Sequence, residues 1–474
     1  MRWTVLRQVA ISKYPTLATK TTPWRGWGTL CLVLLSLALP AAARTRPHYG
    51  GTLRVEIEGD ALPQHGGLAR RLMLDGLTRM GTDGTARPGL AVRWASENDD
   101  HRWQFWLRPG VHFQDGTALT SSTVEAALIG SCGASCPWTA VRGVGSTVVF
   151  TADSPMPNLP ALLAGDDFLI AHAGFIPSSG LSVLGPFIGT GAFQNGGLSN
   201  GILTLAANDS CWEGRPFLDK IEIQVHKSIR DQWLDLSAGR ADLVEVPADQ
   251  LRRAHEQRLT VVASPPVALL ALAVADSGVL GNPNLRAAIA LAVDRGALSN
   301  IFQKQGAITA SLLPDPLTGY SFLFSAERDA NKARELRGGM TPPALTLSTE
   351  GDAAMQLAGQ RIALDLHDAG FNVQVAGTGG SQHTDLVLLR LTLASNQSQP
   401  ALESILRGVG VATPVLEKTP AGLYRVEHEF LGTHTLIPLL YLPRAYAAGG
   451  RVRDLRLSAD GMPLLAGVSL EDAQ

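Results

Sequence analysis

Gly197-Leu198-Ser199-Asn200-Gly201 spells G-x-S-x-G, the pattern in which a serine nucleophile sits on a sharp strand-to-helix turn. The residues that follow, Ile202-Leu203-Thr204-Leu205, alternate as a strand does, so a hairpin turn is predicted here rather than an acyl-transfer site. The 11 histidines are scattered. None belongs to an H-E-x-x-H pair, and His428 and His434 are not spaced for one helical turn, so no histidine metal centre is readable. Cys132 and Cys136 flank the flexible Gly133, a spacing that suits a small disulfide, two free thiols or half of a metal site. Cys211, beside Trp212, reads as a packed thiol. No Ser/His/acid triad or cofactor motif is legible, and a metal site would need ligands converging from distant segments.

The elements that must carry any site are set by length and composition. At 474 residues the chain is too long for one hydrophobic core, and at least two domains are expected. Residues 1–43 contain Arg2, Arg7, Lys13, Lys20 and Arg25 and no acid, then an apolar run over 30–39, then Pro40-Ala41-Ala42-Ala43. This is the three-part layout of a secretory signal peptide, cleaved after Ala43 to leave Arg44 first. The apolar run is too short to span a bilayer comfortably, and an uncleaved N-terminal anchor is the competing reading. Cys31 lies at the start of that run, whereas a lipid-bearing cysteine would follow it, so export without a lipid anchor is expected; the location becomes periplasmic if the exported chain is a freely soluble protein, which needs an outer membrane to retain it. Without residues 1–43, 35 of the 40 Lys and Arg remain against all 42 Asp and Glu, a net charge of −7. With no basic block, nucleic acid is not an expected partner.

The densest signal runs over residues 87–128. Asn98-Asp99-Asp100 is a polar turn cluster. Trp103, Phe105 and Leu107 then alternate with Gln104, Trp106 and Arg108, which predicts a half-buried strand. Pro109-Gly110 breaks it, Val111 and Phe113 resume it, and Asp115-Gly116 turns the chain. Thr120-Ser121-Ser122 is placed to cap a helix through Val124, Ala127 and Leu128. Downstream come Gly189-Thr190-Gly191-Ala192-Phe193, then Asn208-Asp209-Ser210-Cys211-Trp212-Glu213-Gly214-Arg215-Pro216. Ser237-Ala238-Gly239-Arg240-Ala241-Asp242-Leu243 follows. Arg286 to Arg295 reads as an apolar helix ended by Gly296.

In this order the segments resemble the signature of extracellular solute-binding proteins of the dipeptide/oligopeptide/nickel class, the capture components of ABC importers. The resemblance implies a non-enzyme without a cofactor. It also implies an α/β, two-lobed periplasmic-binding-protein-like fold of type II, the large class with an extra subdomain, and a ligand cleft between the lobes. It places lobe I at 44–75, 176–265 and 441–474, its extra subdomain at 76–175, and lobe II at 266–440. The apolar run 267–274 crosses into lobe II as a buried strand, and 436–446 crosses back. Within lobe II a helix is predicted over 352–369, with Ala354, Leu357, Ala358, Ile362 and Leu366 on one face.

The resemblance also implies a ligand site, but this chain departs from it. Peptide binders of the class hold the ligand's ammonium with an Asp in a W-x-x-D-Y-x-x-P-like segment. Here 389–400 contains neither Asp nor Trp. The implied ligand-binding residues are Glu58, at the end of the first strand, and Arg390, Thr392 and Asn396; Gln64, His65 and His383 stand behind them. A cation where peptide binders offer a carboxylate favours an acidic or carbonyl-rich cargo over free peptides. The implied partners are a small-molecule or peptide ligand and an inner-membrane ABC permease, with the chain itself a monomer. Segments of lobe II near the cleft are short for the class, and with the missing Asp they motivate an alternative: a degenerate relative acting as a sensor rather than feeding a transporter.

Overall fold

The computed structural model describes residues 48–58, 67–81, 84–129, 136–172, 188–339, 344–349, 353–376, 384–393, 397–411 and 419–471. In chain order the strands are β1 (Thr52–Glu56), β2 (Thr78–Met80), β3 (Ala86–Pro88), β4 (Ala91–Glu97), β5 (Arg102–Leu107), β6 (Ala140–Val144), β7 (Thr147–Thr151), β8 (Phe193–Ser199) and β9 (Ile202–Ala207). They continue as β10 (Lys220–Gln224), β11 (Leu243–Glu245), β12 (Thr260–Val274), β13 (Ala307–Ile308), β14 (Ala344–Thr349), β15 (Asn372–Ala376), β16 (Leu386–Thr392) and β17 (Leu436–Ala448). One sheet of 11 strands runs β15-β14-β16-β12-β17-β11-β1-β10-β9-β8, with β13 beside β17. A separate sheet has the order β4-β5-β7-β6.

Distinct cores form along this arrangement. Leu53, Val55, Leu205, Ile221 and Ile223 of β1, β9 and β10 pack in one. The four-stranded sheet buries Trp103, Phe105 and Leu107 with Val148 and Phe150 in another. That is the alternation read from β5, and the Phe105 and Phe150 rings meet edge-on at 5.4 Å. At the far end, β12 divides its side chains between two cores. Leu270 and Leu272 face one core, with Ile289, Leu347 and Ile362. Leu269 and Ala271 face the other, with Leu402 and Ile405. A strand covered on both faces has no polar side, which is why 267–274 reads as a continuous apolar run.

The turn motifs act as ties. Gly189 and Gly191 let the chain run against the end of the helix Leu68–Met73. A Cβ on Gly189 would lie 2.1 Å from the Met73 carbonyl oxygen, and one on Gly191 2.6 Å from that of Leu72. The Gln114 amide donates to the Met73 and Phe193 carbonyls at 3.1 and 2.7 Å. Thr190 Oγ1 and Trp212 Nε1 both donate to Asp75 Oδ2, at 2.8 and 2.9 Å. Asn200-Gly201, at φ 53° and 76°, forms the β8–β9 hairpin turn, and Gly197 to Ser199 are the end of β8. Thr120 Oγ1 accepts from the Thr123 N–H at 3.2 Å and caps the helix Ser121–Ile129.

Several local expectations are corrected. Gly296 does not end the 286–295 helix. The backbone leaves the helix Pro283–Ala292 at Val293, and a second helix, Arg295–Ile301, starts from Asp294, whose side chain accepts from the Ala297 N–H at 2.9 Å. Capping by Asp294 places Gly296 in the first turn. β12 begins at Thr260, not at 267, because the chain stays extended through Pro265 and Pro266. Leu357 is 54% exposed. Met355 and Gly359 take the inner face of the helix Ala353–Asp368, since Gly359 packs so close to Thr349 that a Cβ there would lie 2.3 Å from its Cγ2.

Cys136 is disulfide-bonded and Cys211 is free. Cys132 lies outside the described residues. Alkylation of the denatured, unreduced mature protein is expected to label Cys211 alone; label on three cysteines would contradict the bond.

Glu427, in the helix Pro420–Gly432, is fully buried and accepts from the backbone N–H groups of Leu312 and Leu313. Burial pushes its carboxyl up to about 7 against those two bonds. A raised carboxyl favours the folded state below its unfolded value, and that contribution is lost as pH rises through about 7. Glu427→Gln should therefore flatten the decline in melting temperature between about pH 4.5 and 8. Identical pH profiles for the two proteins would exclude this role.

Candidate functional site

A cavity of about 1600 Å³ opens along the line where β12 and β17 pass between the cores. Strand alternation explains its floor. On β16, Leu386 and Leu388 face the core, and Arg390 and Thr392 continue that face beyond it. Arg390 pairs with Leu270 and Thr392 with Ala268, which itself pairs with Leu442 on β17. Two residues further along β17 is Arg444. Arg390, Thr392, Ala268, Leu442 and Arg444 all line the cavity.

One wall comes from the β1 side. Glu58 follows β1, and its N–H donates to Glu245 Oε2 at 2.7 Å. Burial raises the Glu245 carboxyl above its ordinary value, against that bond and the nearby Arg444 and Arg390 guanidiniums. Arg71 lies between two carboxylates, with Nε 2.6 Å from Asp166 Oδ1 and Nη2 2.5 Å from Asp460 Oδ2. Burial alone would lower its pKa; Asp460 and Asp166 outweigh burial and raise it. Arg79 reaches Glu213 at 2.6 Å. Burial also raises Asp75, which its Trp212 and Thr190 bonds oppose. Cys211 lines the same wall, and burial raises its thiol.

The facing wall is the helix Ser398–Gly408, which presents Pro400, Glu403, Ser404 and Arg407. Asn158, beside the four-stranded sheet's core, donates from Nδ2 to Glu403 Oε1 at 3.0 Å. Burial raises Glu403 against this bond and the Arg407 charge, and burial lowers Arg407 against Glu403 and Asp167. This bond ties the facing wall to the segment beside the four-stranded sheet.

Of the residues expected from sequence, Glu58, Arg390 and Thr392 line the cavity. Asn396, Gln64, His65 and His383 lie outside the described residues. Sequence reasoning missed Arg71, Glu245, Glu403, Arg407 and Arg444. Two of them carried a signal: Arg444 is a charge inside the apolar run 436–448, and Glu245 stands between Val244 and Val246. Among the described residues, no group of three or more His, Cys, Asp and Glu is arranged to hold a metal ion. No helix among them is long and apolar enough to cross a membrane.

Comparison with known proteins gives this geometry a family. Residues 85–410 match the bacterial extracellular solute-binding proteins, family 5, middle region, and the chain belongs to that family. A curated relative, the probable D,D-dipeptide-binding periplasmic protein DdpA of Escherichia coli K12, is 24% identical over 264 residues. That match covers 52% of this chain and spans about half, 51%, of the relative's own length. Solved structures share the two-lobed α/β fold. AgaA of A. tumefaciens R10, in complex with agropinic acid, superposes with a TM-score of 0.77 at 19% identity, over 90% of this chain and 99% of that one. NikA of Staphylococcus aureus, with Ni(L-His)2, gives 0.75 at 16%, over 89% and 100%. The oligopeptide-binding protein AppA of Bacillus subtilis, with a nonapeptide, gives 0.73 at 16%, over 90% and 100%. At these identities the likeness is one of fold. Proteins of the family are periplasmic or extracellular binding proteins.

Because the Asn158–Glu403 bond joins the two walls, Asn158→Ala should shift the ligand-free protein toward a more open form. Small-angle scattering should then give a larger radius of gyration, and Glu403→Gln, which keeps an acceptor, should change it less. An unchanged radius for Asn158→Ala would remove the bond from the closing contacts.

Proposed function

We propose that this member of family 5 is an exported, monomeric, non-catalytic capture protein. It takes a small solute or peptide-like ligand into the cavity between its lobes, closes over it and delivers it to an ABC permease of the inner membrane. The observation that carries this reading is the cavity itself: about 1600 Å³, walled by separately cored bodies joined through adjacent strands. That volume exceeds the roughly 300–1000 Å³ of ordinary small-molecule pockets, which suits a sizeable or hydrated cargo. A ligand touching both walls binds the closed form better than the open one, and only such unequal binding drives closure. In this reading β12 and β17 carry the chain between lobes near residues 266 and 440, Ala43 is the last residue of the signal peptide, and Glu58, Arg390, Thr392 and Asn396 contact the ligand.

The cargoes named for the solved relatives differ widely, so shared fold does not pass a ligand to this chain. Its own residues favour an acidic or carbonyl-rich solute. No Asp stands in 389–400 to receive a peptide's ammonium, and Arg390 supplies a cation. Free di- and oligopeptides should bind weakly.

Protein purified from the periplasm tests the whole reading. Its denatured mass should begin at Arg44, its native mass should include a small molecule, and adding that molecule back to stripped protein should contract it in small-angle scattering. A membrane-embedded product retaining Met1, or a protein that neither carries a solute nor contracts with one, would contradict it.

A further inference from the structure

We infer that Arg444 anchors an acidic group of the solute, a carboxylate or a phosphate, where β17 meets the floor of the cleft. The inference rests on the capture reading and names the ligand class of the same cavity. Arg71 and Arg79, the arginines of the β1-side wall, are already matched by carboxylates. Arg444 is not. Its Nη2 donates to Thr392 Oγ1 at 2.8 Å and its Nη1 to Met462 Sδ at 3.0 Å, both neutral acceptors. Among the described residues, no carboxylate comes within ion-pair distance of it. Glu245 and Asp460 feel its charge, but Glu245 accepts from the Glu58 N–H at 2.7 Å and Asp460 is engaged by Arg71 and Ser458.

The guanidinium is held in its aim. The Arg444 N–H donates to Ser264 Oγ at 3.0 Å. Gly461 lets the 458–462 loop lie against the side chain's stem, since a Cβ there would be 2.9 Å from Arg444 Cβ. The same loop supplies Met462 and, through Asp460, the tie to Arg71. Thr392 comes from the end of β16, on the same floor of the cleft. Thr392 therefore acts as a positioning residue for Arg444. A half-buried guanidinium with five N–H donors, aimed into a cavity and partnered only by a hydroxyl and a thioether, is a costly arrangement until an anion arrives. Its planar fork matches carboxylate and phosphate alike, and the partly enclosed site strengthens such a bond.

Protein stripped by unfolding and refolding would be titrated calorimetrically with four probes: citrate, glycerol 3-phosphate, N-acetyl-alanyl-alanine and the neutral C-terminal amide of that peptide. At least one anion should bind and the amide should not. Preference between citrate and glycerol 3-phosphate separates a carboxylate cargo from a phosphate one. Arg444→Gln should weaken the anion by about 10- to 100-fold, with Arg444→Lys intermediate. Thr392→Val should weaken it less, and Thr392→Ser should restore it. Equal binding of acid and amide, unchanged affinity in Arg444→Gln, or no binding of any anion up to about 10 mM would overturn the assignment. A neutral or cationic solute carried by periplasmic protein, and retained by Arg444→Gln, would remove the acid anchor while leaving solute capture in place. Failure of capture would be seen separately, as no carried solute and no contraction.

Discussion

The rest of the molecule depends on one strand pair. β12 and β17 lie side by side, antiparallel, from Thr260 opposite Ala448 to Ala273 opposite Leu436. At one end they sit among the elements around Trp233 and Val244; at the other they continue the β15-β14-β16 strands, with β12 beside β16 and β17 beside β13. Their register shifts between Ala263 and Pro266, between Pro266 and Ala268, and again between Leu270 and Ala271. Pro266 faces Pro443 across the pair, and neither has an N–H to give. The ladder is thus weakest midway between the cores. Covalent continuity and flanking hydrogen bonds keep the lobes joined, while the proline step offers a place to bend without breaking a core.

That arrangement makes the proposed hinge and the floor of the cavity the same place. Ala268, Leu442, Pro443 and Arg444 belong to the crossing strands and also line the cavity. Under the proposed capture reading, a solute seated there touches the crossing strands themselves, so its binding energy would bias a bend between the lobes directly and need no longer path. The charged ties are distributed to match. Arg71, Asp166 and Asp460 fix three segments of one wall to each other. Asn158 and Glu403 instead join one wall to the other by a single bond to a carboxyl that burial already disfavours as an anion. Strong pairs thus lie within a wall and the weaker contact between walls, as the proposed closing and reopening would require.

What was legible in the sequence follows the range of the forces involved. Alternation in β5, the hairpin at Asn200-Gly201 and the capped helix from Ser121 are set by neighbours a few residues away, and they read correctly. The overall two-lobed plan came from the order of motifs, not from any one of them. Gly189, Thr190, Trp212 and Gln114 are scattered in sequence but converge on residues 73–75. The errors lie where distant packing overrides local preference. Asp294 stops one helix and starts another because its N–H also donates to the buried Asp365, at 3.0 Å. Leu357 is exposed because Gly359, not Leu357, meets β14.

The site was less legible than the fold for a physical reason. Arg390 and Thr392 were expected because their segment corresponds to a known position in the class. Arg444 had no such prompt, although a charge within an apolar strand must have a partner, a route to solvent or a cavity to face. Sequence cannot choose among these, because the choice depends on where β17 leaves its core and on what the 458–462 loop brings to it. The same logic separates the cleft's five arginines. Composition counts them as equivalent positive charges, yet Arg71 and Arg79 are used up in ion pairs within the wall, and Arg407 is offset by Glu403 and Asp167. What the cleft can offer a solute is therefore set by the charges that the fold leaves uncompensated, and Arg444, tied only to neutral atoms at the hinge, is the clearest of these among the described residues.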